Sequence, residues 1–182
     1  MMNVNFRSST GFGKEFVNAG GLKWNDGRPD AKRIDARYLK MDQQNERAST
    51  LASAIEINRP VNLEKALRAL EFCNGVVRSV SDQEIIDCRA RIAATGFGCE
   101  PASGATVAGV IKLRDEGVIA ASDRVVCILT GHQLKDPDLT MAYHSNDPQL
   151  IAKKLTPAGV TKTPFANPPI VVDNEESAIL AA

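Results

Sequence analysis

Between residues 62 and 129 three helix signatures alternate with three short apolar runs. No other feature of the chain constrains its fold as much. Leu63, Ala66, Leu67 and Leu70 fall at i, i+3, i+4 and i+7, the apolar face of an amphipathic helix. Asn62, after Pro60, suits an N-cap, and Gly75 a stop. Val76-Val77-Arg78-Ser79-Val80 then reads as a short strand. Ser81-Asp82-Gln83-Glu84 is a capping box that opens a helix to about Ala94. Gly96 and Gly98 bracket Phe97, and a very short strand is expected through Cys99. A third helix is expected from near Ser103 to just before Gly117, which sits where a C′ glycine belongs. Its small and apolar residues, Ala105 to Ile111, make it a buried helix. Arg124 to Leu129 (RVVCIL) is a continuous β-branched run, suited to a strand covered on both faces. This order implies parallel βαβ units. The expected fold class is α/β: an open, mostly parallel, partial sheet with helices on both faces.

The flanks are less regular. Phe12 to Ala19 suits one or two turns of helix, and Asn25-Asp26-Gly27 with Pro29 a turn. Arg37 to Met41 alternates like a strand, and the polar residues 42–50 read as a loop. Residues 141–182 carry Pro148, Pro157, Pro164, Pro168 and Pro169 and read as an extended tail over the domain. The expected division is therefore 1–140 and 141–182.

Composition narrows the class. Lys+Arg and Asp+Glu are 22 each, a balance that argues against a nucleic-acid binder or a polybasic membrane-surface protein. No apolar run approaches the ~20 residues needed to span a bilayer. The N-terminus, MMNVNFRSST, lacks the apolar core of a signal peptide. A cytoplasmic globular chain is expected, with no membrane or nucleic-acid partner. Cys73, Cys88, Cys99 and Cys127 form no CxxC pair, and His132 and His144 stand far from any such pair. Buried reduced thiols are expected, and no metal site.

Three segments have the residues for chemistry: Ala52 to Pro60, Gly98 to Ala105 and Leu129 to Pro137. The last two leave the C-terminal ends of expected strands, where parallel sheets bind ligands. Ser103 opens a helix whose free N–H groups favour anions. Spacing alone still favours the plainer reading, Ser103 as an N-cap and Glu100 as a loop carboxylate. Thr130 can present a hydroxyl at the sheet edge, with Gly131 permitting close backbone approach. The plainer reading is a turn residue bonding its own loop. Lys135-Asp136-Pro137-Asp138 reads as a solvated turn.

The runs ASAIEINRPVN, EKALRAL, GVVRSVSDQEI, GCEPASGATVAG and RVVCILTGHQLKDPD occur in the order found in threonine synthases. The resemblance covers about residues 48–140 and extends loosely back to Gly11-Phe12-Gly13-Lys14-Glu15-Phe16. EPAS together with LTGH-LKDPD is the specific part, since dehydratases and cysteine synthases carry related turns. The resemblance implies a fold-type II (tryptophan-synthase-like) enzyme with pyridoxal 5′-phosphate as cofactor. It implies the conversion of O-phosphohomoserine and water into threonine and phosphate. Thr130 matches the threonine that bonds the cofactor's pyridine nitrogen. A neutral hydroxyl there does not favour a protonated ring as an aspartate would. Glu100 and Ser103 match the turn beside the ring, and Ala54 and Ile55 lie in a loop near the cofactor face.

The same resemblance marks what is not found. The family's Schiff-base lysine and its Gly/Asn-rich phosphate loop lie upstream, and no lysine here has the expected surroundings. Lys14 looks like part of the helix after that loop, and Ser8 to Gly13 lacks the family's asparagines. Gly104 stands where the family usually has Ala, and Leu39 to Thr50 fits poorly. The chain reads as the C-terminal part of a threonine synthase: no catalytic residue of its own, inactive alone, with a homo-oligomer compatible. Two other readings stand beside it: another fold-type II enzyme such as a threonine/serine dehydratase, and a non-catalytic ligand-binding module of the same fold.

Overall fold

The computed structural model describes residues 31–181. The expected helix at Phe12 to Ala19, the turn at Asn25 to Pro29 and the Ser8 to Gly13 segment lie outside the described residues. The helices are α1 (Ala31–Gln43), α2 (Leu63–Phe72), α3 (Asp82–Ala93), α4 (Pro101–Asp115) and α5 (Pro137–His144). Then comes α6 (Pro148–Leu150), which runs into a π turn (Ile151–Leu155) and a 3-10 turn (Thr156–Ala158). A last helix is α7 (Glu176–Ala181).

The middle helices start and stop where local chemistry directs them. Ser81 Oγ accepts from the Glu84 backbone N–H at 3.2 Å, and the Glu84 carboxylate accepts from the Ser81 N–H, closing the capping box of α3. Gly117, with φ of 74°, terminates α4 as a left-handed C′ residue. At the end of α2 the left-handed residue is Asn74, one position before the expected Gly75.

Helices α3 and α4 pack against each other to form the heart of the core. Ile85, Ile86 and Cys88 of α3 meet Ala102, Ala105 and Ala108 of α4. Gly104 sets the closeness: a Cβ there would lie 2.3 Å from the Ile85 carbonyl oxygen. The absence of a side chain at this position therefore has a packing consequence. Leu51, Ala52, Ile55 and Val80 enter the core from one side, and Ala142, Tyr143, Leu155 and Val160 from the C-terminal segment.

That segment differs from the expected extended tail. It is helical through α5 and the α6 run, because Pro137, Pro148 and Pro157 occupy first-turn positions, where a missing N–H costs nothing. It is then strapped to α3. The Gln83 amide accepts from the N–H groups of Thr161 and Lys162, and Tyr143 donates its hydroxyl to Asp87 at 2.6 Å.

Two further expectations differ. Arg37 to Met41 lies in α1, not in a strand. Positions 34, 38 and 41 are spaced i, i+4 and i+7, so helical period wins once the window is widened. The sheet is not formed among the described residues. Val76 to Val80 and Arg124 to Leu129 form no helix, and neither pairs with another segment there. A strand needs a neighbour for its N–H and C=O groups, and an apolar one needs covered faces. Val126 is 73% exposed and Ile128 52%, so neither condition is met within residues 31–181. No helix of the described residues is long and apolar enough to cross a membrane.

Candidate functional site

The start of α4 and the turn after Arg124 to Leu129 come together, and they carry the polar residues singled out above. Helix α4 begins at Pro101, two residues earlier than expected, because Pro is preorganised for the first helical position. Glu100 takes the N-cap position but makes no capping bond with its side chain. Ser103 is thereby freed from capping. It is fully buried inside the first turn and faces the neighbouring loop.

Ser103, Thr130 and Glu100 form one hydrogen-bonded chain. The Thr130 backbone N–H donates to Ser103 Oγ at 3.0 Å, and the two hydroxyls lie 3.3 Å apart. Thr130 Oγ1 donates to Glu100 Oε1 at 2.6 Å. The other carboxylate oxygen accepts from Lys135 Nζ at 2.8 Å. The Glu100 N–H donates to the Gly131 carbonyl at 2.9 Å and locks the two segments in register. Gly131 is required at that point, since a Cβ there would lie 2.3 Å from the Glu100 carboxyl carbon.

Glu100 is 3% exposed, the Glu100 side chain 4%, and burial by itself pushes its carboxyl up. The hydrogen bonds from Lys135 and Thr130, with the Lys135 charge, outweigh burial and hold it below the usual carboxylate range. The carboxylate is thus ionised, acceptor-only and fully engaged. Thr130 itself is exposed above this buried pair.

Arg89 of α3 fastens both segments from behind. Its Nε donates to the Cys99 carbonyl at 2.8 Å and its Nη2 to the Gln133 carbonyl at 3.1 Å. Arg89 is buried, and burial lowers its guanidinium from the usual value. A small cleft beside it is lined by Cys99, Gln133, Thr140 and His144.

The Ala52 to Pro60 loop meets this turn through Ser53. Ile55 is buried in the core and Ala54 is exposed. Ser53 makes the link, donating to Asp136 at 3.2 Å. Lys135 and Asp136, read from sequence as a solvated turn, are thus both engaged. A carboxylate buried at the start of a helix gains from a cation beside it, and Lys135 supplies that charge. His132 is a turn residue, its Nδ1 accepting from the Leu134 N–H at 3.2 Å. Of the cysteines, Cys88 and Cys99 are buried, but Cys73 is exposed and Cys127 half-buried. Burial raises the Cys88 thiol to about 11. Among the described residues no cluster of three His, Cys, Asp or Glu side chains is placed to hold a metal ion.

The chain is similar to known proteins over part of its length. A family model described as "Pyridoxal-phosphate dependent enzyme" matches residues 27–131. The threonine synthase of Methanosarcina acetivorans is 50% identical over 93 residues, covering 50% of this chain and 23% of the relative. That of Methanocaldococcus jannaschii is 47% identical over 90 residues, 49% of this chain and 22% of the relative. Threonine synthase 2, chloroplastic, of Arabidopsis thaliana is 36% identical over 124 residues, 68% of this chain and 22% of the relative. The matched stretch thus spans less than a quarter of these three relatives.

Proposed function

The chain belongs to the family of pyridoxal-phosphate dependent enzymes, and on that premise we propose that it is the C-terminal part of a threonine synthase. In this reading residues 1–140 are the C-terminal portion of the large cofactor-binding domain, and residues 141–182 are the tail packed over it. The reaction of the complete enzyme converts O-phosphohomoserine and water into threonine and phosphate. The runs Val76 to Val80 and Arg124 to Leu129 are then strands that pair with the rest of that domain's sheet.

The observation that carries this reading is the convergence of Glu100, Ser103 and Thr130 at one helix start. The residues present fit one edge of the cofactor. Thr130 offers an exposed hydroxyl to a ring nitrogen, and buried Ser103 and Glu100 fix that hydroxyl from below. Arg89 and Gly131 hold the two backbone segments at the spacing this needs. The fit does not extend to the aldehyde end. A lysine that carries the cofactor must lose its proton, which burial promotes, and none of the described lysine side chains is buried. When bound, the cofactor supplies the electron sink, and the protein supplies orientation and electrostatics. In this reading the chain orients the ring edge, and the lysine and the phosphate ligands come from elsewhere in the complete enzyme.

Two experiments test this. The purified chain with pyridoxal phosphate and O-phosphohomoserine is expected to release no phosphate, and steady release would overturn its inactivity. A chimera carrying residues 48–140 in place of the matching segment of the Methanosarcina acetivorans enzyme is expected to release phosphate from O-phosphohomoserine. A chimera that instead releases ammonia from threonine would favour a dehydratase.

A further inference from the structure

Arg89 is a cation taken out of water without an anion beside it. It is 5% exposed and makes no ion pair among the described residues. Asp136 acts on it only through space, and the Asp136 carboxylate is taken up by Ser53. A guanidinium has five N–H donors and no acceptor. Two of its bonds go to the Cys99 and Gln133 carbonyls, and its other N–H groups have no partner among the described residues. A buried charge in that state is costly, and a group that brings both lone pairs and negative charge relieves the cost.

The cleft beside Arg89 is where such a group can sit. Apolar side chains of α3 form one wall, and no carboxylate lines it. The polar groups that do line it are suited to donate. His144 Nδ1 accepts from the Asn167 N–H at 2.9 Å, which leaves Nε2 to carry the proton of the neutral ring. Burial, and then the Arg89 charge, hold that ring below its usual value and so keep it neutral. Burial raises the Cys99 thiol, which Arg89 partly offsets, so the thiol keeps its proton. The Gln133 side-chain amide has no hydrogen-bond partner among the described residues, and it lies over Gly98, where a Cβ would strike it. We propose that Arg89, with the Gln133 amide and the His144 Nε2–H, forms a binding site for a small monovalent anion, a carboxylate group or a halide. The cleft is small and partly open, which suits a group of a few heavy atoms and leaves a longer tail in solvent. Because Arg89 also holds the Cys99 and Gln133 carbonyls, an anion here stiffens the joint between α3 and the two turns. The proposal does not depend on the cofactor reading.

The test titrates the full chain with formate at constant ionic strength and follows the Arg89 Nε–H and the Gln133 side-chain amide by NMR. The expected result is a saturable shift of both, with a Kd of about 1 to 10 mM, near the ceiling for a ligand of three heavy atoms. Parallel titrations with bromide and with propionate separate the sources. Propionate as tight as formate, with bromide weaker, assigns the site to the carboxylate end of an organic acid; bromide tighter than both assigns it to an inorganic ion. Gln133→Leu keeps the backbone carbonyl that Arg89 holds and removes the amide, so it should weaken formate about tenfold, the worth of one charge-assisted hydrogen bond. Thr140→Glu places a carboxylate on the cleft wall. It should abolish the formate response and raise the melting temperature by about 3 °C, because the chain then supplies its own anion. Absence of a saturable shift in the unmodified chain overturns the proposal. So does a formate affinity that both variants, folded, leave unchanged.

Discussion

The α3–α4 pair and the run Arg124 to Leu129 are similarly apolar, yet one is closed and the other open. In the pair, Ile85 and Ile86 are essentially without exposed surface, and the backbones touch at Gly104. In the run, Val126 and Ile128 face solvent and the backbone has no ladder among the described residues. The difference lies in where the partner comes from. A helix satisfies its own backbone and needs only one buried face. A central strand needs neighbours on both edges and cover on both faces. Helices α3 and α4 find each other within forty residues of sequence, and residues 51–55 and 139–160 complete their cover. The strand-like run finds no such cover among the described residues, which agrees with the proposal that the remainder of the large domain completes it.

Gly104→Ala strikes the closed region hardest. The added Cβ meets the Ile85 carbonyl at 2.3 Å, so the helices must separate. Overpacking of this kind should cost about 2 kcal/mol even after the gain of about 1 kcal/mol in helix propensity, read as a lower melting temperature. A melting temperature equal to or above that of the unmodified chain would show that the helices do not meet so closely.

An intermediate effect is expected where the two regions join. The Glu100 carboxyl is more acidic folded than unfolded, so the stability it contributes is full above the unfolded value of about 4.3. That stability is lost as pH falls through the lower folded value. The stability difference between the unmodified chain and Glu100→Gln should therefore shrink below about pH 4, in denaturant melts at stepped pH. A difference that is constant down to pH 2 would mean the carboxylate is not held by Lys135 and Thr130.

The smallest effect belongs to the open run. Ile128→Thr should change the stability of this chain by less than about 0.5 kcal/mol, as for other exposed sites. In the chimera described above the same change should cost several times more, because the residue is then covered. Equal effects in both would show that the run is an exposed segment in the complete enzyme too.

Legibility follows the same divide. The α3 capping box, the Gly117 stop and the buried character of α4 could be read directly, because each depends on residues close in sequence. The order of the EPAS and LTGH-LKDPD runs was enough to indicate the cofactor family. Local windows misled in two places. Five alternating residues at Arg37 to Met41 hide a helix, and two of the prolines that suggest an extended tail, Pro148 and Pro157, stand at helical first turns. In the 3-10 turn Ser53–Ile55, Ile55 enters the core and Ser53 reaches Asp136 of the site turn.

The amino-acid sequence by itself determined the start of α3, the end of α4 and the residue types at the site, since caps and motif order are local and covalent. Only the tertiary structure decided that Lys135 reaches from its turn to pair with Glu100, and that Thr130 donates its hydroxyl hydrogen bond to that carboxylate. It also decided that Arg89 ties both turns to α3. These contacts join residues 10 to 44 positions apart. They exist because a carboxylate and a guanidinium taken out of water must find their partners among the groups the fold brings within about 3 Å.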